Sequence, residues 1–257
     1  MKEEILLYFI GTAGSGKSTL THLFQQWTEL RGIDSITVNL DPGAEILPYE
    51  PDVDIRNWIS LREVMETHNL GPNGAQIACA DMIALNIDEI KESIESFKTD
   101  YILMDTPGQL ELFVFRESGR HIVESLNPKK TAIAYLIDPV LAISPSGFVS
   151  HILLSLSTNF RLGKPQINIL SKADILSEEQ IKEIQLWSKD INTLYNAVIE
   201  ENPSVYREMS EELIQVLQSF ETHTRLIPTG INDFMGISDL YTIIQFIFKG
   251  GEDMTSD

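Results

Sequence analysis

The chain has 257 residues, 43% of them hydrophobic, which is enough for one large buried core and at most two domains. Its 38 acidic against 19 basic residues give a net charge of -19, which repels a phosphate backbone and argues against nucleic acid as a partner. Cys79 is the only cysteine, which removes internal disulfides and multi-thiolate metal sites, and no apolar run approaches membrane-spanning length; a cytoplasmic protein with no membrane partner is expected.

Residues 5–10 form an unbroken apolar run of strand formers, followed by a glycine-rich turn and then by Leu20, Leu23, Phe24, Trp27 and Leu30 at helical spacing. Gly32 ends that helix, and residues 36–40, 101–104, 131–137, 166–170 and 225–227 read as further short buried strands with helical patterns between nearly all of them. Ser144-Pro145 opens a helix that carries Val149, Ile152, Leu153, Leu156 and Phe160 and stops near Gly163. Between about 177 and 222 strand patterns cease. Two helices are predicted there, the first opened by a Ser177 to Gln180 capping box and carrying Ile184, Trp187, Ile191, Leu194 and Val198. The second carries Tyr206, Met209, Leu213, Val216 and Phe220. The expected architecture is α/β: a three-layer sandwich with a mostly parallel sheet, helices on both faces and this helical insertion, and the GxxxxGKS pattern of residues 11–18 in the first turn makes it that of a P-loop NTPase. Residues 1–250 are read as one domain and 251–257 as a short acidic tail.

Gly11-Thr12-Ala13-Gly14-Ser15-Gly16-Lys17-Ser18 matches GxxxxGKS between a predicted strand and a predicted helix, and with Thr19 it forms the candidate nucleotide-binding run. Glycines let the backbone turn its amides onto phosphates, and the helix N-terminus adds a favourable dipole. Lys17 neutralises β and γ oxygens, and Ser18 can ligate magnesium. Related ATPases carry a signature lysine early in this loop, near Thr12, which is absent here.

Asp105-Thr106-Pro107-Gly108-Gln109 follows the strand 101–104, which puts a carboxylate at a strand's carboxyl end, facing the phosphates. Asp105 is the second candidate magnesium residue, and the Gly108 amide is placed to meet a γ-phosphate, so the loop would respond to that phosphate. Gln109 and Glu111 are candidates to orient an attacking water. Ser171-Lys172-Ala173-Asp174 resembles the guanine-reading NKxD motif with serine in place of asparagine. Asp174 can accept from the guanine ring N–H and amino group, Lys172 can lie along the base, and Ser171 is a shorter reader of the base oxygen. Thr229 and Gly230, after a further strand, can complete the base pocket through their backbone.

These motifs, together with Asn39-Leu40-Asp41-Pro42-Gly43 and Gly71-Pro72-Asn73, make the chain resemble the GPN-loop GTPase family over nearly its whole length. Because the chain stops soon after its last helix, the likeness is to compact, archaeal-like members. The resemblance implies a GTPase that uses GTP, GDP and Mg2+ and works as a homodimeric molecular switch. In such a dimer the loop Gly71-Pro72-Asn73 points into the partner's site, and Asn73 acts where other GTPases use an arginine finger. It also implies roles for Asp41, Asp105, Gln109 and Glu111 around magnesium and water, and protein clients such as RNA polymerase subunits or chaperones. Two other functions fit a nucleotide loop. A kinase would need an arginine-rich lid, which the sequence does not show; a scaffold that holds nucleotide without turnover would not need Lys17, Ser18, Asp105 and Gln109 together.

Overall fold

A computed structural model describes residues 4–126, 129–218 and 226–249. In chain order, β1 (Ile5–Gly11) leads through the glycine turn into α1 (Lys17–Glu29), then β2 (Ser35–Asn39) and the two-residue β3 (Val53–Asp54). Three helices, α2 (Leu61–His68), α3 (Pro72–Leu85) and α4 (Ile87–Glu95), precede β4 (Tyr101–Asp105). Next come α5 (Leu110–Phe113), α6 (Glu117–Leu126), β5 (Thr131–Ile137), α7 (Pro139–Ala142), α8 (Pro145–Leu162) and β6 (Gln166–Leu170). After them lie α9 (Glu178–Lys189), α10 (Ile191–Glu200), α11 (Val205–Gln218), β7 (Leu226–Pro228) and α12 (Ile237–Lys249).

Among the described residues the seven strands form one sheet in the order β3-β2-β4-β1-β5-β6-β7, with every pairing parallel. The continuous apolar runs in the sequence follow from this, because a parallel strand is buried on both faces. In β1 the alternation is complete: Ile5, Leu7 and Phe9 pack with Leu20, Phe24 and Trp27 of α1 and with Ile237, Leu240 and Ile244 of α12. Leu6, Tyr8 and Ile10 face the other layer, with Ala75, Cys79 and Ile83 of α3, Phe148 and Ile152 of α8, and Ile184 and Trp187 of α9. Each such large side chain removed from water contributes about 1.5–3 kcal/mol, so the two layers hold the sheet from both sides. The result is the expected three-layer α/β sandwich, and the carboxyl ends of β1, β2, β4 and β6 converge on one edge.

Local chemistry sets the helix ends. Ser144 caps α8 by accepting from the Gly147 N–H at 3.2 Å, and Gly163 closes it with φ 59°. Both bonds of the Ser177–Gln180 capping box are made, at 2.9 and 3.3 Å.

Four sequence expectations change. The segment from Ile184 to Val198 is two helices, because Asp190 is extended (φ -135°, ψ 106°) and its carboxylate accepts from Asn192 and Thr193 N–H, capping α10. The predicted stripe of α11 is out of phase: Ser210, Ile214 and Leu217 are buried, while Met209 and Val216 are each 55% exposed. Phe160, expected on the packed stripe of α8, is 76% exposed. Gly71-Pro72-Asn73 is not a free loop; Gly71 is the N-cap of α3 and Pro72 stands in its first turn, where the missing N–H costs nothing. The predicted positions Phe220, Thr222, Arg225 and the tail 251–257 lie outside the described residues.

No helix among the described residues is long and apolar enough to cross a membrane. Cys79 is buried in α3 as a small core residue.

Candidate nucleotide site

The glycine turn is shaped by left-handed backbone at Gly14 (φ 74°) and Gly16 (φ 93°), a conformation in which a Cβ is strained. Gly16 is also the N-cap of α1 and offers no side-chain cap, so the first amides of α1 face the loop interior. Gly11 has no room for a side chain: a Cβ there would lie 2.6 Å from Ser15 Oγ and 2.8 Å from Leu136 O. Thr12 O accepts from the Ser15 N–H at 3.1 Å, Ala13 and Thr19 are exposed, and Ser18 is half-buried in the first turn of α1.

Lys17 is buried, and its ammonium donates to Gly11 O at 3.1 Å, Thr12 O at 3.0 Å and, across the site, Gly108 O at 3.4 Å. Burial pulls its pKa down, while the charges of Asp105 and Asp41 act against that pull. Lys17 thus shares its pocket with two carboxylates, Asp105 and Asp41. Asp105 is 1% exposed at the end of β4, with Oδ2 accepting from the Tyr49 hydroxyl at 2.8 Å and Oδ1 buried with no hydrogen-bond partner. Burial raises its pKa to about 6, against side-chain hydrogen bonding from Ser18 and Tyr49 and the charge of Lys17.

Asp41 joins the loops. Its Oδ1 accepts from the Gly43 N–H at 2.9 Å and its Oδ2 from the Gly108 N–H at 3.3 Å. Gly108 is thus held through its N–H by Asp41 and through its C=O by Lys17. Gln109 and Glu111 are exposed at the start of α5, the first as its N-cap. Asn73 is exposed in the first turn of α3, which lies beside the Asp41 turn: a Cβ on Gly43 would be 3.6 Å from the Gln76 side chain. Arg116 is paired with Asp81 at 2.6 Å and Arg120 with Glu124 at 2.8 Å, so both arginines are engaged away from this pocket.

At the base-reading end, Ser171, Lys172, Asp174 and Gly230 line a cavity of about 320 Å3 together with Leu20 and Leu23 of α1. The sequence reading assigned Ser171 to the base oxygen. In the structure its hydroxyl donates to Ser15 O, which ties this loop to the glycine turn beside the base cavity. Lys172 does the same through Gly14 O, pairs with Asp138 at 3.4 Å and sits at φ 49°. Thr229 is buried, exchanging backbone bonds with Ala173 N–H and Leu170 O, both 2.8 Å. Gly230 passes so close to Asp174 that a Cβ would meet its Oδ1 at 2.6 Å, and the Ile231 N–H donates to that oxygen at 3.4 Å.

Three features escaped the sequence reading: Tyr49, Asp138, and the brace formed by Asn39, Asp54 and Arg56. Asp54 accepts from Asn39 Nδ2 at 3.0 Å and from Arg56 Nη2 at 2.6 Å, while Arg56 Nη1 donates to Ala44 O at 2.8 Å. The Asp-Ile-Arg spacing was a visible signal, since it lets a carboxylate cap a turn and meet the arginine two residues on. Burial disfavours ionised Asp54, but the Arg56 and Asn39 bonds outweigh it and hold its pKa below the ordinary range. A depressed carboxylate pKa stabilises the fold above the unfolded value of about 3.9 and loses that contribution as pH falls through the folded value. Asp54→Asn should therefore lower the thermal midpoint at pH 7, and the gap to the parent should shrink as pH falls from about 5 toward 3.

A family model described as Conserved hypothetical ATP binding protein matches residues 9–250. GPN-loop GTPase QQT1 of Arabidopsis thaliana is 34% identical over 255 residues, covering 94% of this chain and 85% of that protein. GPN-loop GTPase PAB0955 of Pyrococcus abyssi is 32% identical over 241 residues, covering 93% and 95%. The chain belongs to the GPN-loop GTPase family. The crystal structure of PAB0955, a GTPase in apo form, superposes with a TM-score of 0.83 at 31% identity, over 95% of this chain and 97% of that one. This GPN-loop GTPase therefore binds guanine nucleotide and hydrolyses GTP, and the NKxD-like segment on the cavity wall agrees with guanine rather than with the adenine of the family model's description.

Proposed function

We propose that this GPN-loop GTPase is a magnesium-dependent molecular switch that works as a cytoplasmic homodimer and assists the assembly of protein complexes, RNA polymerase subunits or chaperones being the kind of client. The observation that carries the switch is Gly108, whose N–H is held by Asp41 and whose C=O is held by Lys17. In P-loop NTPases the loop lysine cradles the β- and γ-phosphates, and the glycine amide of the loop after the Asp-bearing strand is placed to meet the γ-phosphate. Here those are Lys17 and Gly108, so seating that phosphate requires Asp41 to release the Gly108 N–H and Lys17 to leave the backbone carbonyls. The loops after β2 and β4 would then move together, which couples nucleotide state to structure.

The donor set fits magnesium: Asp105 has an orphaned buried oxygen, Ser18 stands in the first turn of α1, and Asp41 adds a second carboxylate. The bound ion would supply charge stabilisation at the phosphates. Lys17 orients and neutralises the same phosphates, while Gln109 and Glu111, exposed at the start of α5, are available to position water. Asn73 is exposed in the first turn of α3, where its side chain is accessible to a partner, which supports its reaching a partner's site. In that reading the Gly71-Pro72-Asn73 segment is the dimer contact.

The test measures phosphate release from GTP and ATP, with magnesium and with chelator, alongside mass in solution. A dimer that releases phosphate from GTP in preference to ATP, and only with magnesium, is expected. Equal turnover of ATP, metal-independent turnover, phosphate arriving on an acceptor molecule, or a fully active monomer would contradict the proposal.

A further inference from the structure

Tyr49 lies in the segment between β2 and β3, a stretch that includes Pro42, Pro48 and Pro51. It is 9% exposed, and its ring stacks on His22 of α1 at 6.3 Å and 18°. Both ends of its segment are fixed: Asp41 bonds Gly43 and Gly108 at one end, and Asp52 accepts from the Thr37 N–H at 2.8 Å at the other. Arg56 braces the middle through Ala44 O. Held in this way, the Tyr49 hydroxyl reaches the Asp105 carboxylate 56 residues away in sequence and donates to Oδ2.

The two oxygens of Asp105 are therefore unlike. Oδ2 is closed by Tyr49, and Oδ1 is buried and unpartnered. We propose that Tyr49 is a positioning residue for the divalent cation: its hydroxyl fixes the Asp105 carboxylate so that the free oxygen is the one presented to the metal. This rests on the magnesium reading above.

The residue type suits the task. A buried carboxylate needs a donor. A lysine or arginine in this place would bring a positive charge that repels the cation, whereas a phenol donates one hydrogen bond and remains neutral. The rigid stacked ring also leaves the hydroxyl little freedom. Without that donor the Ser18 side chain is left to hold the carboxylate, which can then turn and present the wrong edge to the metal.

The experiment uses Tyr49→Phe, which retains the ring and its stacking on His22, and a second variant with 4-aminophenylalanine at position 49, which restores a donor at the same reach. Manganese binding to the GDP-loaded protein is followed by the loss of the free Mn2+ paramagnetic resonance signal, and GDP affinity is measured separately in chelator. The proposal expects the phenylalanine variant to bind Mn2+ roughly tenfold more weakly or worse, about the worth of a hydrogen bond to a charged group, with chelated GDP affinity unchanged and the aminophenylalanine variant near the parent. An unchanged or tighter Mn2+ midpoint in the phenylalanine variant overturns it, as does an aminophenylalanine variant that binds Mn2+ as weakly as the phenylalanine one. If the phenylalanine variant fails to fold, the aminophenylalanine variant alone decides, near-parent Mn2+ binding supporting the proposal and weakened binding overturning it. Asp105→Asn separates the two readings: if it binds Mn2+ as tightly as the parent, the magnesium assignment itself fails and the role of Tyr49 falls with it.

Discussion

Asp174→Asn is expected to weaken GTP binding by roughly a hundredfold to ten-thousandfold and to shift preference toward xanthosine triphosphate. Asp174 stands on the wall of the base cavity beside Ser171, Lys172 and Gly230, and it is the one carboxylate among the cavity's lining residues. An aspartate accepts from both the ring N–H and the amino group of guanine, and each hydrogen bond to a charged group contributes about 1.5–3 kcal/mol. Asparagine replaces one acceptor with a donor, which opposes the guanine amino group but suits the oxygen that xanthine carries there. Thermal stability should change little, because the bond from Ile231 N–H, at 3.4 Å, is long. Competition titrations with the two triphosphates read the result directly. Equal loss of both would mean that the base does not sit against Asp174.

Asn73→Ala should lower GTP turnover by about a hundredfold to a thousandfold, the usual cost of removing one donor aimed at transition-state charge, while GTP affinity stays within about twofold. Asn73 is exposed in the first turn of α3, so its loss leaves no buried group unsatisfied and the fold should be unaffected. A fall in affinity equal to the fall in turnover would place Asn73 in ground-state binding instead. Single-turnover hydrolysis on preloaded protein separates the two.

How much of this was legible in the sequence depended on whether the signal was local. The strands and the glycine turn announced themselves because parallel strands are apolar throughout and the turn needs glycine at fixed places; the left-handed Gly14 and Gly16 lie inside the motif that was read. The positions of Asp105, Gly108 and Asp174 were legible because Asp105 ends a buried strand and the other two stand in the loops just beyond one, where position fixes the edge of the sheet. β3 was missed because two residues carry no periodicity, and the break at Asp190 was missed because Ile191 keeps the helical spacing of Ile184 and Trp187 across it. The tie from Ser171 to Ser15 O was not legible, because only the packed loops bring those two residues, 156 apart in sequence, within reach. Tyr49 could not be picked out at all. Its chemistry depends on a carboxylate 56 residues away, and in sequence it is one more aromatic among prolines.

The central claim, that Asn73 of one subunit completes the site of the other, is tested most directly by mixing two inactive proteins. Lys17→Ala subunits retain Asn73 but cannot hold the phosphates, and Asn73→Ala subunits retain the phosphate loop but lack the donor. If Asn73 acts across the dimer, re-equilibrated mixtures gain one complete site per mixed dimer and turnover recovers to about a quarter of the parent's. If mixing restores nothing while mass measurements show that mixed dimers have formed, Asn73 acts within its own subunit or not at all, and the trans-acting reading is contradicted.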